Sequence, residues 1–414
     1  MSFPRNREPL PTPGSEPRSA FQAMVYLDHN ASTPLAEEAR EAMLPWLGEY
    51  GNPSGIHAAG RRARAAVDDA RDRLAALLGA KPHEIVFTSG GTESCNLALL
   101  GLARRHGTPE RRHLITAPTE HHAVLHALRS LGDREGFGLT EAPVGRSGVL
   151  DPDLFASLLR PDTLLASVMI ANNETGVIQS VATLAASCRE LGVLFHTDAV
   201  QAFGKIPCSP YELGVDALSA TAHKFHGPRG AGFLWIRSGV SLESIHHGGF
   251  HENERRPGTE NVAAIVGMAA AAETAVKKAA GGTESARLHA LRERLWEGIR
   301  VLDPAAIRNA EGASVLANTL NVSFPGCDGE TLLMALDLEG VAVSSGSACM
   351  VGSVQPSHVL LAMGVPAEIA RATVRFSLGT GTTAEEIEVT LSALCRVLER
   401  QARLRSCSCP SFPG

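Results

Sequence analysis

Five lysines, Lys81, Lys205, Lys224, Lys277 and Lys278, stand among the 38 basic residues of this 414-residue chain. An ε-amine forms a Schiff base with a carbonyl compound and a guanidinium does not, so chemistry that needs such an amine has five places to occur. Four of them fall in or beside helical or loop stretches where solvent exposure is the natural expectation, Lys205 least plainly. Lys224 differs: in Thr221-Ala-His-Lys-Phe-His-Gly227 it lies between an apolar strand and a glycine-bearing turn. Lysines are seldom buried without a task, which makes Lys224 the Schiff-base candidate. Upstream, His196-Thr-Asp-Ala-Val-Gln201 closes another apolar strand. Asp198 there either caps a turn or faces a cationic partner at the carboxyl edge of a sheet. Ser89-Gly-Gly-Thr-Glu-Ser94 follows a strand and opens a helix, an outline of a phosphate cup made of backbone amides and the Thr92 hydroxyl. It carries neither a Walker lysine nor the dinucleotide spacing, and alone it reads more readily as a plain strand-to-helix turn.

The rest of the composition bounds what these residues can belong to. A chain 44% hydrophobic and 20% charged, with a formal net charge of -6, is of globular type, without basic blocks for nucleic acid or an apolar run long enough for a membrane helix. The arginine excess over lysine reads as codon bias. Eight scattered cysteines point to reduced thiols in the cytoplasm, and Cys407-Ser-Cys409 lacks the spacing and the partner pair of a zinc site. Residues 1–24, with five prolines, three arginines and two glutamates, read as a disordered leader. From Tyr26 onward short apolar runs alternate with helical periods. In Arg61 to Gly79, Ala63, Val67, Ala70, Leu74, Leu77 and Leu78 recur at steps of three and four, and Gly79 ends the helix. Strands are expected at Glu84–Thr88, His113–Ala117, Leu164–Ala171 and Val193–Ala199, with helices at Cys95–Leu102, His122–Leu131 and Ser180–Leu191. Near-continuous apolar strands between helices predict an α/β class, with a mostly parallel sheet covered on both faces. Beyond Gly281-Gly282 the pattern changes to long helices and the short strands Thr319–Phe324, Val341–Ser345 and Thr373–Leu378, read as a smaller α+β domain. The expected division is a large domain over 39–280, a small one made of 25–38 plus 281–405, and a tail over 406–414.

Taken in order, the motifs resemble those of the cysteine desulfurases of the NifS/IscS type, in the class V aminotransferase group of fold type I pyridoxal-phosphate enzymes. They are Tyr-Leu-Asp-His-Asn-Ala-Ser-Thr (26 to 33), Gly-Asn-Pro-Ser (51 to 54), Ser-Gly-Gly-Thr-Glu-Ser (89 to 94), Thr-Glu-His (119 to 121), Asn-Asn-Glu-Thr-Gly (172 to 176), His-Lys (223 to 224), Arg-Arg-Pro-Gly-Thr-Glu-Asn (255 to 261), Ser-Ser-Gly-Ser-Ala-Cys (344 to 349) and Val-Arg-Phe-Ser (374 to 377).

The resemblance implies pyridoxal 5'-phosphate bound through Lys224, which also moves the Cα proton, with Asp198 on the pyridinium nitrogen. It places Gln201 on the ring hydroxyl, His121 on the ring face as a proton carrier, and Gly91, Thr92, Thr221 and His223 around the phosphate. Thr259 would reach the phosphate of a neighbouring subunit, implying a homodimer with shared sites. Asn173 and Arg375 would bind the substrate carboxylate. Cys349, in the small-residue stretch Ser344 to Gly352, would attack the sulfur of bound L-cysteine, keep it as a persulfide and release alanine. The sulfur would go to an acceptor or scaffold protein for iron–sulfur cluster assembly or tRNA thiolation. No resident metal is expected, a transient iron–sulfur contact at Cys349 apart. The other readings are a selenocysteine lyase or another class V enzyme, and an inactive sulfur-transfer scaffold. Ala222 stands where relatives often carry a smaller or more flexible residue, and Met350-Val-Gly-Ser353 is more apolar than is common in the family.

Overall fold

The computed structural model describes residues 24–345 and 355–407; Cys349, Cys409 and the leader up to residue 23 lie outside the described residues. Seven strands form the main sheet in the spatial order Ile85–Thr88, Gly232–Ile236, Ala217–Thr221, Leu194–Asp198, Thr163–Ser167, His113–Thr116, Gly138–Glu141. Gly232–Ile236 runs antiparallel to both neighbours and every other pairing is parallel. Successive side chains enter opposite layers: Phe233 and Trp235 join one apolar cluster, with helices Ala58–Leu78, Val181–Glu190 and Val262–Ala280. Leu234 and Ile236 join the other, with Gly91–His106 and His122–Glu135. This is the helix-covered α/β sheet expected from the apolar strands.

A second, three-stranded antiparallel sheet orders Thr373–Ser377, Thr319–Ser323 and Ile307–Arg308. It packs on helices Thr283–Leu302 and Ala384–Cys407 through Leu295, Ile299, Phe376 and Leu394. The segment 25–36 joins the two layers of structure. Val25–Tyr26 pairs in parallel with Val341–Ala342, and Asp28 bridges to Ser377. Further on, the amides of Thr33 and Ala36 donate to the carbonyls of His223 and His226.

Local chemistry sets the element ends. The helix Ala58–Leu78 buries Ala63, Val67, Ala70, Leu74 and Leu78, and stops where Gly79 turns left-handed and returns its N–H to Ala75 and Ala76. The strand expected over Leu164–Ala171 ends at Ser167, because side chains take over the following backbone groups: Met169 N–H goes to the Glu120 carboxylate and Val168 C=O to the Thr197 hydroxyl. The strand expected over Val341–Ser345 is two residues long, Ser344 instead bridging to Arg375. The helix expected at Cys95–Leu102 is longer, Gly91–His106, so the glycine pair is its first turn.

The strand leading to that glycine pair is anchored by Glu84. Its carboxylate accepts from Lys81 N–H (2.8 Å), Tyr211 O–H (2.6 Å), Trp235 Nε1–H (3.2 Å) and Ser238 N–H (2.8 Å). Burial opposes ionisation, but these donors outweigh it and hold the carboxyl at about 2. A depressed carboxyl contributes stability above its ordinary value near 4.5, lost as pH falls toward 2. Glu84→Gln is therefore expected to melt lower than the parent chain at pH 7, with the gap narrowing from pH 4.5 to 2. Thermal unfolding across pH checks this, and a gap independent of pH would contradict it.

Candidate active site

Asp198 is the last residue of the strand Leu194–Asp198, buried at the carboxyl end of the sheet. Its carboxylate accepts the Val200 N–H at 2.8 Å. Burial pushes it up to about 6, against the pull of the Val200 N–H, the Cys95 thiol and the Lys224 charge. It does cap its turn, and the charge of Lys224 is near enough to favour its ionised form. Lys224 ends the single helical turn Ala222–Lys224 that follows the neighbouring strand Ala217–Thr221. The Thr33 amide and hydroxyl fix that turn by donating to His223 C=O, each at 2.9 Å, and the Lys224 ammonium donates to the carbonyls of Asn30 and Ala31.

His121 begins the helix His122–Glu135, and its Nδ1 accepts the Ala123 N–H at 3.1 Å. That bond leaves the neutral ring with its proton on Nε2. Burial, then Lys224, His358 and His126, lower its pKa to about 4. The helix Gly91–His106 starts with no side chain capping its first turn. A Cβ on Gly91 would lie 2.7 Å from Val200 Cγ2 and 3.7 Å from Thr221 Cβ, so the bare backbone is what lets helix start, Asp198 turn and Thr221 close together. The leading amides of a helix have no partner within it and attract an anion. Thr221 is buried, its hydroxyl donating to Ala231 C=O at 3.2 Å; Thr92 is exposed at the helix start, and His223 Nδ1 lies 3.3 Å from Ser32 Oγ.

Arg375 lies in Thr373–Ser377, only 2% exposed. Its Nη1 donates to Asn173 C=O at 3.0 Å and its Nη2 to Asp28 at 2.6 Å, while Nε is buried without a partner among the described residues. An unanswered guanidinium N–H suits a substrate carboxylate. Its backbone pairs with Ser344, and on the far side of the stretch holding Cys349 the Ser357 hydroxyl donates to the buried Glu174 carboxyl, next to Asn173. Glu120, the neighbour of His121, likewise uses its main chain: its C=O lies 2.9 Å from His358 Nε2.

The structure thus brings together Lys224, Asp198, His121, Gly91, Thr221, His223, Gln201, Asn173 and Arg375, with Thr92 at the rim. Thr259 lies apart, exposed beside Glu93 and Arg256. Lys205 corrects the sequence reading: it is half-buried and turned inward, its ammonium donates to Gln201 Oε1 at 2.8 Å and Asn30 Oδ1 at 3.4 Å, and it is lowered to about 7 by burial, Lys224 and Arg375. Its exposure was expected from a loop context, but the turn after Asp198 folds it inward. Asp28, Asn30, Glu174 and Ser357 were also given no role by the sequence, although three of them lie inside quoted motifs. An amine, a buried carboxylate able to face a ring N–H, and an amide-lined anion cradle form a donor set that fits pyridoxal phosphate.

Residues 25–389 match the family described as aminotransferase class V. The chain is 47% identical to the cysteine desulfurase IscS of Dictyoglomus turgidum, across 91% of this chain and 95% of that one. It is 42% identical to the cysteine desulfurase IscS of Methanosarcina thermophila, across 91% and 92%. A solved NifS-like protein superimposes with a TM-score of 0.84 at 38% identity, across 91% of this chain and all of that one (100%). Similarity of this extent, over the residues that build both sheets and the site between them, means that the chain belongs to the class V aminotransferase family, among its cysteine desulfurases.

Proposed function

We propose that this chain uses pyridoxal 5'-phosphate to convert L-cysteine to L-alanine, keeping the sulfur as a persulfide on Cys349. The observation that carries the proposal is the buried Asp198 carboxylate, raised to about 6 and sharing one site with the Lys224 amine. When bound, the cofactor supplies an electron sink conjugated to the substrate amine. Lys224 holds the cofactor and afterwards moves the Cα proton. Asp198 would face the ring nitrogen, where its negative charge favours the protonated ring. The amides of Gly91 and Thr92, with Thr221 and His223, hold the phosphate; Gln201 donates to the ring oxygen. Neutral His121, its Nδ1 tied to the Ala123 N–H, works through Nε2. Arg375 and Asn173 orient the substrate carboxylate. The Cys349 thiolate then takes the substrate sulfur: the Cβ–S bond breaks, an S–S bond forms, and Cβ gains the electron pair and a proton to become the alanine methyl. The Cys349 sulfur is oxidised as Cβ is reduced, so no outside oxidant is required.

Further parts of the proposal are a homodimer in which exposed Thr259 completes the neighbour's phosphate site, and a protein acceptor for iron–sulfur cluster assembly or tRNA thiolation, working in the cytoplasm. Among the described residues no helix is long and apolar enough to cross a membrane. We also propose that residues 39–280 act as the cofactor-binding body and that 25–38 with 281–405 carry the nucleophile.

Lys224→Arg is expected to keep the charge and lose the Schiff-base absorbance; retained colour would refute the choice of lysine. Cys349→Ser is expected to keep the colour and lose sulfide release from L-cysteine by a factor of 100 or more, on the order of ~3 kcal/mol; equal release by both proteins would refute the nucleophile. In nuclear magnetic resonance of the cofactor-free chain, His121 is expected to titrate near 4 with its proton on Nε2. A midpoint at the ordinary histidine value would contradict the assigned burial.

A further inference from the structure

Lys205 follows Gln201 by four residues in the turn after Asp198. The chain reverses there because Gly204 is left-handed (φ 77°), and a Cβ on it would lie 2.8 Å from Ala275 Cβ. The reversal returns the Lys205 ammonium to the site, where among the described residues no carboxylate pairs with it. Its oxygen partners are Gln201 Oε1 and Asn30 Oδ1. The charged and titratable groups around it are Lys224, Arg375, His29 and His226. A buried ammonium bonded only to amide oxygens, among other cations, contributes poorly to stability. It does determine the orientation of an amide.

An ammonium only donates, so Gln201 must present Oε1 to it; a carbonyl only accepts, so Gln201 must present Nε2 to Asn30 C=O, 2.8 Å away. Both ends of the carboxamide are therefore fixed. Nε2 carries two hydrogens, and among the described residues only Asn30 C=O accepts one of them. We propose that Lys205 is a positioning residue for the cofactor, locking the Gln201 carboxamide so that an N–H, and never the C=O, is offered to the oxygen of the bound ring. This rests on the pyridoxal-phosphate reading above. Without Lys205 only the Asn30 C=O still holds the amide, and a rotated carboxamide that turns Oε1 toward the ring oxygen is no longer opposed from its other end.

The consequence is spectroscopic. A donor on the ring oxygen stabilises its anionic form, which then holds the neighbouring imine proton less tightly, so the colour change of the Schiff base occurs at lower pH. In the cofactor-loaded protein, titrated by visible absorbance without substrate, Lys205→Met is expected to raise the midpoint by about one pH unit. Gln201→Leu is expected to raise it similarly, and Lys205→Met is expected to add nothing further in the Gln201→Leu background. Lys205→Gln, which keeps an N–H donor for Gln201 without the charge, is expected to return the midpoint most of the way to that of the parent. An unchanged midpoint in Lys205→Met overturns the inference. A shift of equal size in the Gln201→Leu background, or in Lys205→Gln, also overturns it, because charge alone would then account for the effect. If Lys205→Met does not fold, Lys205→Ala, which also removes the donor, replaces it with and without Gln201→Leu under the same expectations. A parent protein that develops no Schiff-base colour with added pyridoxal phosphate refutes the functional reading itself, an outcome distinct from all of these.

Discussion

Asn30 is the joint on which the site is assembled. It is 1% exposed, and buried amide groups must find partners or lose stability. Its carbonyl accepts from Lys224 and Gln201, which lie in the turns following two neighbouring strands of the main sheet. Its side chain donates to Thr319 Oγ1 (2.9 Å) and Asn173 C=O (3.2 Å) and accepts from Asn318 (3.1 Å), while its N–H donates to Ser377 Oγ (2.9 Å). One residue thus ties Lys224, Gln201 and Asn173 to both sheets. Displacing it would leave several buried groups unanswered together, which makes the geometry a single cooperative unit.

The electrostatics follow from that burial. Asp198 is pushed up and Lys205 down because each loses water, and the pair approach neutrality from opposite sides. His121 is kept neutral for the same reason, with Lys224 adding to the effect. Arg375 is paired with Asp28, yet retains one buried N–H without a partner among the described residues. A site of this kind holds unsatisfied donors and poised acids in fixed positions, so that binding, rather than reorganisation, supplies their partners.

Much of this was legible in the sequence. Apolar runs and three-four periodicity marked both faces of the main sheet, and Gly79 marked a helix end because only its conformation allows the closing bonds. The boundaries were less legible. The strand at Thr163–Ser167 stops because Glu120 and Thr197, remote in sequence, take its next backbone groups. Gly90-Gly91 was read as opening a helix and does so, but the need for a bare backbone there is set by Val200, remote in sequence. The antiparallel strand Gly232–Ile236 was not anticipated, since its direction is set by the strands beside it.

What the sequence determined by itself was residue chemistry and order: one lysine in an unusual setting, a carboxylate at a strand end, a glycine pair, and a series of motifs carrying a family resemblance. What only the tertiary structure decided was which groups lose water and whom they meet. Lys205 was the least plain of the four lysines expected at the surface, because charge and a loop context are local properties. Its burial arises from Gly204 passing against Ala275 and from Asn30 arriving from a segment 175 positions away. Desolvation and partner identity are set by the whole fold, and no window of sequence contains them.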